Sequence, residues 1–154
     1  MPRLLWSSLN NQQVGAFFEY YIKMELTMFG YEVFTPEVDD RGIDFIARRS
    51  GSNFIEVQAK ALRSVGYVFL RKSHFLPSPN RYLALGLLHD GQAPRAYLIP
   101  STVWTKPDQV FVSRDYDKPN QTSAPEWGVN VSAKSMPALE QYALESMLEG
   151  LSHP

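Results

Sequence analysis

Apolar positions along this chain follow two rhythms, and the change between them outlines an architecture. Over residues 12–29 the period is helical: Gly15, Phe18, Glu19, Ile22, Leu26 and Phe29 fall within one arc of about 100° when each residue turns the chain by about 100°. Glu19 is the only charge on that arc and sits at its edge. Gly30 follows, where a glycine commonly stops a helix. The opposite side is apolar too, with Phe17, Tyr20, Tyr21, Met24 and Met28. A helix that is apolar nearly all round is usually covered on both sides. The C-terminal helix or a second copy of the chain would have to cover this one, and we expect a homodimer through the aromatic face.

Beyond Gly30 the rhythm shortens to that of strands. Residues 31–35 read as a short strand, followed by a polar, acidic loop at 36–41. Residues 43–49 and 54–60 read as two strands around Ser50-Gly51-Ser52-Asn53, a strong turn signal. Further strands are expected at 67–70, 82–88 and 96–99, with a turn at 89–92, and an edge strand at 127–131. Residues 106–125, rich in Pro, Asp, Ser and Asn, read as a long surface loop. A helix over 135–149 closes the chain, with Pro137 in its first turn and Gly150 after its last. Helix, strands, then helix predict a layered α/β domain around a mixed sheet. Residues 1–11 form a loose lead-in and 12–154 a single domain, without internal repeats.

Composition narrows the function classes. A chain of 154 residues, 44% hydrophobic and 13% aromatic, has the size of one domain and the material for a core. There is no cysteine, which excludes disulfides, thiolate catalysis and zinc sites that need sulfur, and fits a reducing compartment. No stretch approaches the ~20 apolar residues of a membrane span, and the N-terminal apolar run is too short for a signal peptide. A soluble cytoplasmic protein is expected, with no membrane partner. The net charge of −1 is uninformative, but its distribution is not. Arg41, Arg48, Arg49, Lys60, Arg63, Arg71, Lys72 and Arg81 share one segment with only Asp44 and Glu56 as acids. A charge run by itself is more often a solvated face than a binding site.

The candidate chemistry lies on the two strands around Gly51. A hairpin centred there puts Asp44 opposite Gln58, and directly opposed side chains have Cβ atoms about 4.5–5.5 Å apart. On the second strand Glu56, Gln58 and Lys60 share one face by the period of two, while Ile55, Val57 and Ala59 take the other. A carboxylate, an amide oxygen, a second carboxylate and an ammonium would converge on one patch of sheet. Hard cations such as Mg²⁺ (or Mn²⁺) take oxygen ligands; Asp44 and the Gln58 carbonyl can hold one, with Glu19 reaching over from the helix. Taken singly, Glu19 reads as a solvent-facing charge, Asp44 as a turn residue, and Gln58 and Lys60 as an exposed sheet face. His74, His89 and His153 suggest surface histidines. Trp104 and Trp127 read as anchors of the core or of a loop.

Taken in order, helix-borne Glu19, Gly42-Ile43-Asp44 and Val57-Gln58-Ala59-Lys60 resemble the PD-(D/E)XK nuclease superfamily. The helix and following strand, from Gly15 through Glu19, Ile22 and Leu26 to Gly30-Tyr31 and Val33, are similar to those of archaeal Holliday-junction resolvases and Mrr-like restriction endonucleases. The Gln-x-Lys form at Gln58-Ala59-Lys60 resembles the Mrr-like branch. The resemblance covers roughly residues 12–62. It implies a restriction-endonuclease-like α/β/α fold with a mixed central sheet, and a Mg²⁺-dependent deoxyribonuclease that leaves a 5′ phosphate. Asp44 would be the central ligand, completed by position 58 and the carbonyl of residue 59, with Lys60 as the catalytic lysine. Arg41, Arg48, Arg63, Arg71 and Lys72 are the candidates for holding DNA. Gln58 departs from the commoner acidic residue, which removes a negative charge from the metal site; Glu56 is a candidate to compensate. No separate target-recognition domain is expected from this sequence. The expected function is an endonuclease in restriction, repair or mobile-element defence. The alternatives are a DNA-binding module that no longer cuts and a protein-association subunit on the same fold.

Overall fold

Asn10 caps the first helix, α1 (Asn11–Met28): its side chain accepts from the Gln13 amide while the Gln13 side chain accepts from the Asn10 amide. The helix therefore begins slightly before the apolar period does. The structure, a computed structural model, describes residues 3–38 and 41–151. Asp39 and Asp40 of the expected acidic loop, and His153, lie outside the described residues. Gly30 ends α1 with φ +87°, a left-handed conformation that favours glycine.

Four strands follow in close agreement with the period-two segments: β1 (Tyr31–Phe34), β2 (Phe45–Arg49), β3 (Ile55–Leu62) and β4 (Gly66–Arg71). After β5 (Arg81–Leu87) and β6 (Arg95–Pro100) come β7 (Phe111–Arg114) and β8 (Glu126–Val131). Five strands form one sheet in the order β1-β2-β3-β5-β6, in which only β3 and β5 run parallel. The expected mixed sheet is thus present. β5 is apolar on both faces, as a strand buried on both sides should be. Tyr82 and Ala84 join the core under α1, with Phe18, Ile22 and Leu26. Leu83, Leu85 and Leu87 join a second core with Trp104, Phe111 and Val129.

The layer over that second core departs from the sequence pattern. It is chiefly a three-stranded antiparallel sheet, β4-β8-β7, with a short helix, α2 (Met136–Glu140), beside it. β8, expected at an edge, is the central strand here, paired on both sides. β7 lies inside the segment expected to be a loop. Its four residues are framed by turn formers, and Phe111 and Val112 become strand only because β8 supplies a ladder. The expected C-terminal helix is also divided, into α2 and α3 (Leu144–Leu151). Between them the Tyr142 carbonyl accepts from the Leu98 amide at 2.8 Å, and Ala143 bridges Tyr97. β6 is an edge strand, and pairing its free backbone groups outweighs an unbroken helix. α3 continues through Gly150 to Leu151.

The far side of α1 remains bare. Leu144 and Leu148 of α3 join the core beneath the helix, so the C-terminal helix does not cover the stripe of Phe17, Tyr20, Met24 and Met28. Tyr20, Met24 and Met28 are 70%, 61% and 81% exposed. Among the described residues no helix is long and apolar enough to cross a membrane.

Candidate active site

Asp44 immediately precedes β2, and the register of the hairpin decides what stands beside it. Phe45 pairs with Val57, Ile46 with Glu56 and Ala47 with Ile55, the pairing that a turn centred on Gly51 predicts. Asp44 therefore comes level with Gln58. Its amide donates to the Val57 carbonyl at 3.0 Å, and its Oδ2 accepts from the Ala59 amide at 2.7 Å. Where the ladder ends, the side chain takes over as acceptor, which fixes the carboxylate against the Gln58 segment of β3. Gly42, with φ +73°, completes this corner. A Cβ there would lie 3.1 Å from His74 Cβ and 3.6 Å from Gln58 Oε1, so the chain passes tightly between those two side chains.

Gly42, Gln58, Lys60, Phe69, Leu70, Arg71 and His74 line a cleft of about 170 Å³. A larger cleft of about 520 Å³ adjoins it, bordered by Asn11 and Val14 of α1, by 60–64 and by Tyr67, Val68 and Phe69. Lys60 and Phe69 belong to both. Among the described residues, the ion pairs leave out Lys60, a half-buried residue that borders both clefts. His74 and Phe69 are wall residues with no local sequence signature. For Phe69 alone, the alternation of Tyr67, Phe69 and Arg71 against buried Val68 and Leu70 gives its outward direction.

The other expected residues are placed differently. Glu19 Oε1 pairs with Lys23 Nζ at 2.9 Å, and that ammonium lies 5.6 Å from the centroid of the Phe45 ring. The pair sits over the first residue of β2, next along the chain from Asp44, on the face of the sheet covered by α1. Glu56 Oε2 accepts from Arg81 at 2.9 Å and pairs with its Nη2 at 2.8 Å, while Arg81 also donates to the Leu76 carbonyl. Arg48 stacks 4.6 Å from the Phe54 centroid and faces Glu32. Arg63 donates to the Leu9 carbonyl and to Asn11 Oδ1, tying β3 to the start of α1. Lys72 bonds to Ser113 and Asp115 and covers Trp127, whose indole N–H donates to the Phe75 carbonyl. Arg71 and Arg41 are exposed at the small cleft and beside Gly42.

The donors that the hairpin register sets level with each other, the Asp44 carboxylate and the Gln58 amide carbonyl, are hard oxygens, which suit Mg²⁺ or Mn²⁺. Among the described residues no three His, Cys, Asp or Glu side chains gather closely enough to hold a metal ion. The residues present fit a largely hydrated ion held through few protein ligands. Glu56 has a structural account of its own in Arg81. We expect Glu56→Gln to cost about 1 kcal/mol or less in a thermal melt, as part-exposed pairs do, and to leave DNA cleavage within about two-fold. A loss of cleavage as large as that of Asp44→Ala would make Glu56 a ligand instead.

No protein-family model and no curated protein matches this sequence. Solved structures do resemble it. The Holliday junction resolvase Hjc of the archaeal hyperthermophile Archaeoglobus fulgidus superposes with a TM-score of 0.53 at 12% identity, over 88% of this chain and 95% of its own. The bacterial homing endonuclease I-Ssp6803I gives a TM-score of 0.60 at 14% identity, over 94% of this chain and 98% of its own. This chain shares the mixed α/β fold of these two proteins, a resolvase and a homing endonuclease.

Proposed function

We propose that this chain is a metal-dependent endonuclease hydrolysing DNA phosphodiester bonds, with Asp44, Gln58 and Lys60 at its centre. The observation that carries this is the hairpin register. It brings a carboxylate fixed by the Ala59 amide level with Gln58, with Lys60 two residues on and facing the same cleft. The shared fold with a resolvase and a homing endonuclease supports it. Asp44 and Gln58 would hold Mg²⁺ or Mn²⁺, with Glu19 as a further ligand on leaving Lys23. Such an ion polarises a phosphate and lowers the pKa of a bound water. Lys60 donates to the phosphate oxygens as negative charge gathers there in the transition state. Arg41 and Arg71 hold neighbouring backbone phosphates. A role in restriction, repair or mobile-element defence suits such an enzyme.

One observation favours the second reading, a DNA-binding module that no longer cuts: Glu19 is bound to Lys23, and Gln58 brings no charge. Supercoiled plasmid, single-stranded circle and branched duplex incubated with Mg²⁺ or Mn²⁺, against EDTA, distinguish the two. Cutting that requires the ion supports the nuclease. Salt-dependent binding without cutting under any of these conditions supports the module.

The bare stripe of α1 adds an assembly to the proposal. Contiguous exposed apolar residues mark association surfaces, and a homodimer through Phe17, Tyr20, Met24 and Met28 would bury them. Tyr20→Glu combined with Met24→Glu is expected to convert a dimer to a monomer in sedimentation equilibrium. A wild-type protein that is monomeric throughout the concentration range overturns this assembly.

A further inference from the structure

We propose that Phe69, which borders the same two clefts as Lys60, is a stacking platform for an unpaired base. The preferred DNA would then carry a nucleotide outside its duplex stack beside the scissile phosphate, as at a branch, a gap or a single-strand junction. The proposal rests on the nuclease reading for the chemistry at Lys60, and on separate side chains for the recognition.

β4 turns Val68 and Leu70 into the core and leaves Tyr67, Phe69 and Arg71 on the outer face. The two aromatic residues are not equivalent. Tyr67 is occupied: its hydroxyl donates to Glu126, and the Arg114 guanidinium lies 4.4 Å from its centroid. A Cβ on Gly128 would collide with the tyrosine ring, so that ring lies directly on the β8 backbone. Burial first, and the Glu126 bond second, raise the Tyr67 pKa and keep the hydroxyl a neutral donor. Phe69 stands beside this anchored ring, nearly parallel to it (19°, centroids 6.5 Å apart), yet it is 49% exposed. An apolar ring held in a fixed plane and left half bare is a surface awaiting a second ring.

Its surroundings are specific. Phe69 and Lys60 border both clefts, and the larger one, about 520 Å³, falls within the ~300–1,000 Å³ of sites for small ligands. Arg71 and Arg114 flank the same outer face and supply charge for the backbone. A base within a duplex has both faces covered by its neighbours, so a wall aromatic can stack only on a base that has left the helix. Stacking tolerates any base, so this mode of recognition needs no element that reads sequence.

The test is binding in metal-free buffer, so that no cleavage intervenes. It uses DNA with 2-aminopurine at an unpaired position next to a duplex, and the same strand fully paired. Wild type is expected to quench the unpaired probe and to bind it tighter than the duplex. Phe69→Ala is expected to weaken binding of the unpaired substrate by about 5- to 150-fold, leaving the paired duplex within about two-fold. Phe69→Trp should restore the preference. Phe69→Ala weakening both substrates alike, or neither, in a protein with an unchanged melting temperature overturns the proposal. A protein that cuts nothing can still pass this test, and a nuclease that prefers intact duplex fails it, so the two readings are separated.

Discussion

Replacing Lys60 by alanine is expected to lower kcat for DNA cleavage by about 10²–10³-fold, the cost of removing a group that meets charge only as it develops in the transition state. Lys60 lines the cleft beside Gln58, and among the described residues it shares no ion pair. No carboxylate has to be given up before the ammonium reaches a phosphate. DNA affinity should change only a few-fold, because one cation among several contributes little to ground-state binding. Single-turnover cleavage beside equilibrium binding separates the two effects. A variant that binds poorly but cuts normally once saturated would make Lys60 a phosphate anchor. Lys60→Arg should not restore the rate, since a planar fork on a longer arm places its charge differently from an ammonium.

Phe18→Ala is expected to produce the largest loss of stability, about 3–5 kcal/mol, or a fall in Tm of roughly 6–20 °C. Phe18 is fully buried where α1 crosses the central sheet, and its ring lies against the backbone of Gly86 on β5. A Cβ at Gly86 would lie 2.8 Å from the ring's Cγ and nearer still to its edge. Gly86→Ala therefore overpacks the same contact and should cost about 1–3 kcal/mol. The two substitutions share one volume, so the double variant should be less destabilised than the sum of the singles. Strict additivity in thermal melts would show that the helix does not rest on this glycine.

The parts legible in the sequence are those with local causes. The register of β2 on β3 follows from a turn at Gly51 and a period of two, so the residue order alone places Asp44 level with Gln58. α1 is legible from its period, and so is the apolar character of its second face, although the C-terminal helix that could have covered that face packs in the core beneath α1 instead. Parts with distant causes are hidden. β7 exists because β8 offers it a ladder, and α2 parts from α3 because the β6 edge needs Tyr142 and Ala143. Arg63 and Lys72 look available for DNA in the sequence, yet their partners Leu9, Asn11, Asp115 and Trp127 lie far along the chain. Glu19 belongs to the same class, since the arc of α1 places it at an edge without showing that Lys23, one turn on, holds it. Phe69 and His74 enter the site only through the packing of β4 and the segment after it across β3.

Asp44 carries two duties at once, because the same carboxylate both receives the Ala59 amide and is assigned to the metal. The most direct measurement is single-turnover cleavage of a branched duplex across a Mn²⁺ titration, wild type beside Asp44→Ala, with circular dichroism verifying that both remain folded. Ion-dependent cutting is expected from the wild type, and none above background from the variant at any Mn²⁺ concentration. Cutting by a folded Asp44→Ala protein at the wild-type rate would contradict this assignment and move the active site away from the hairpin.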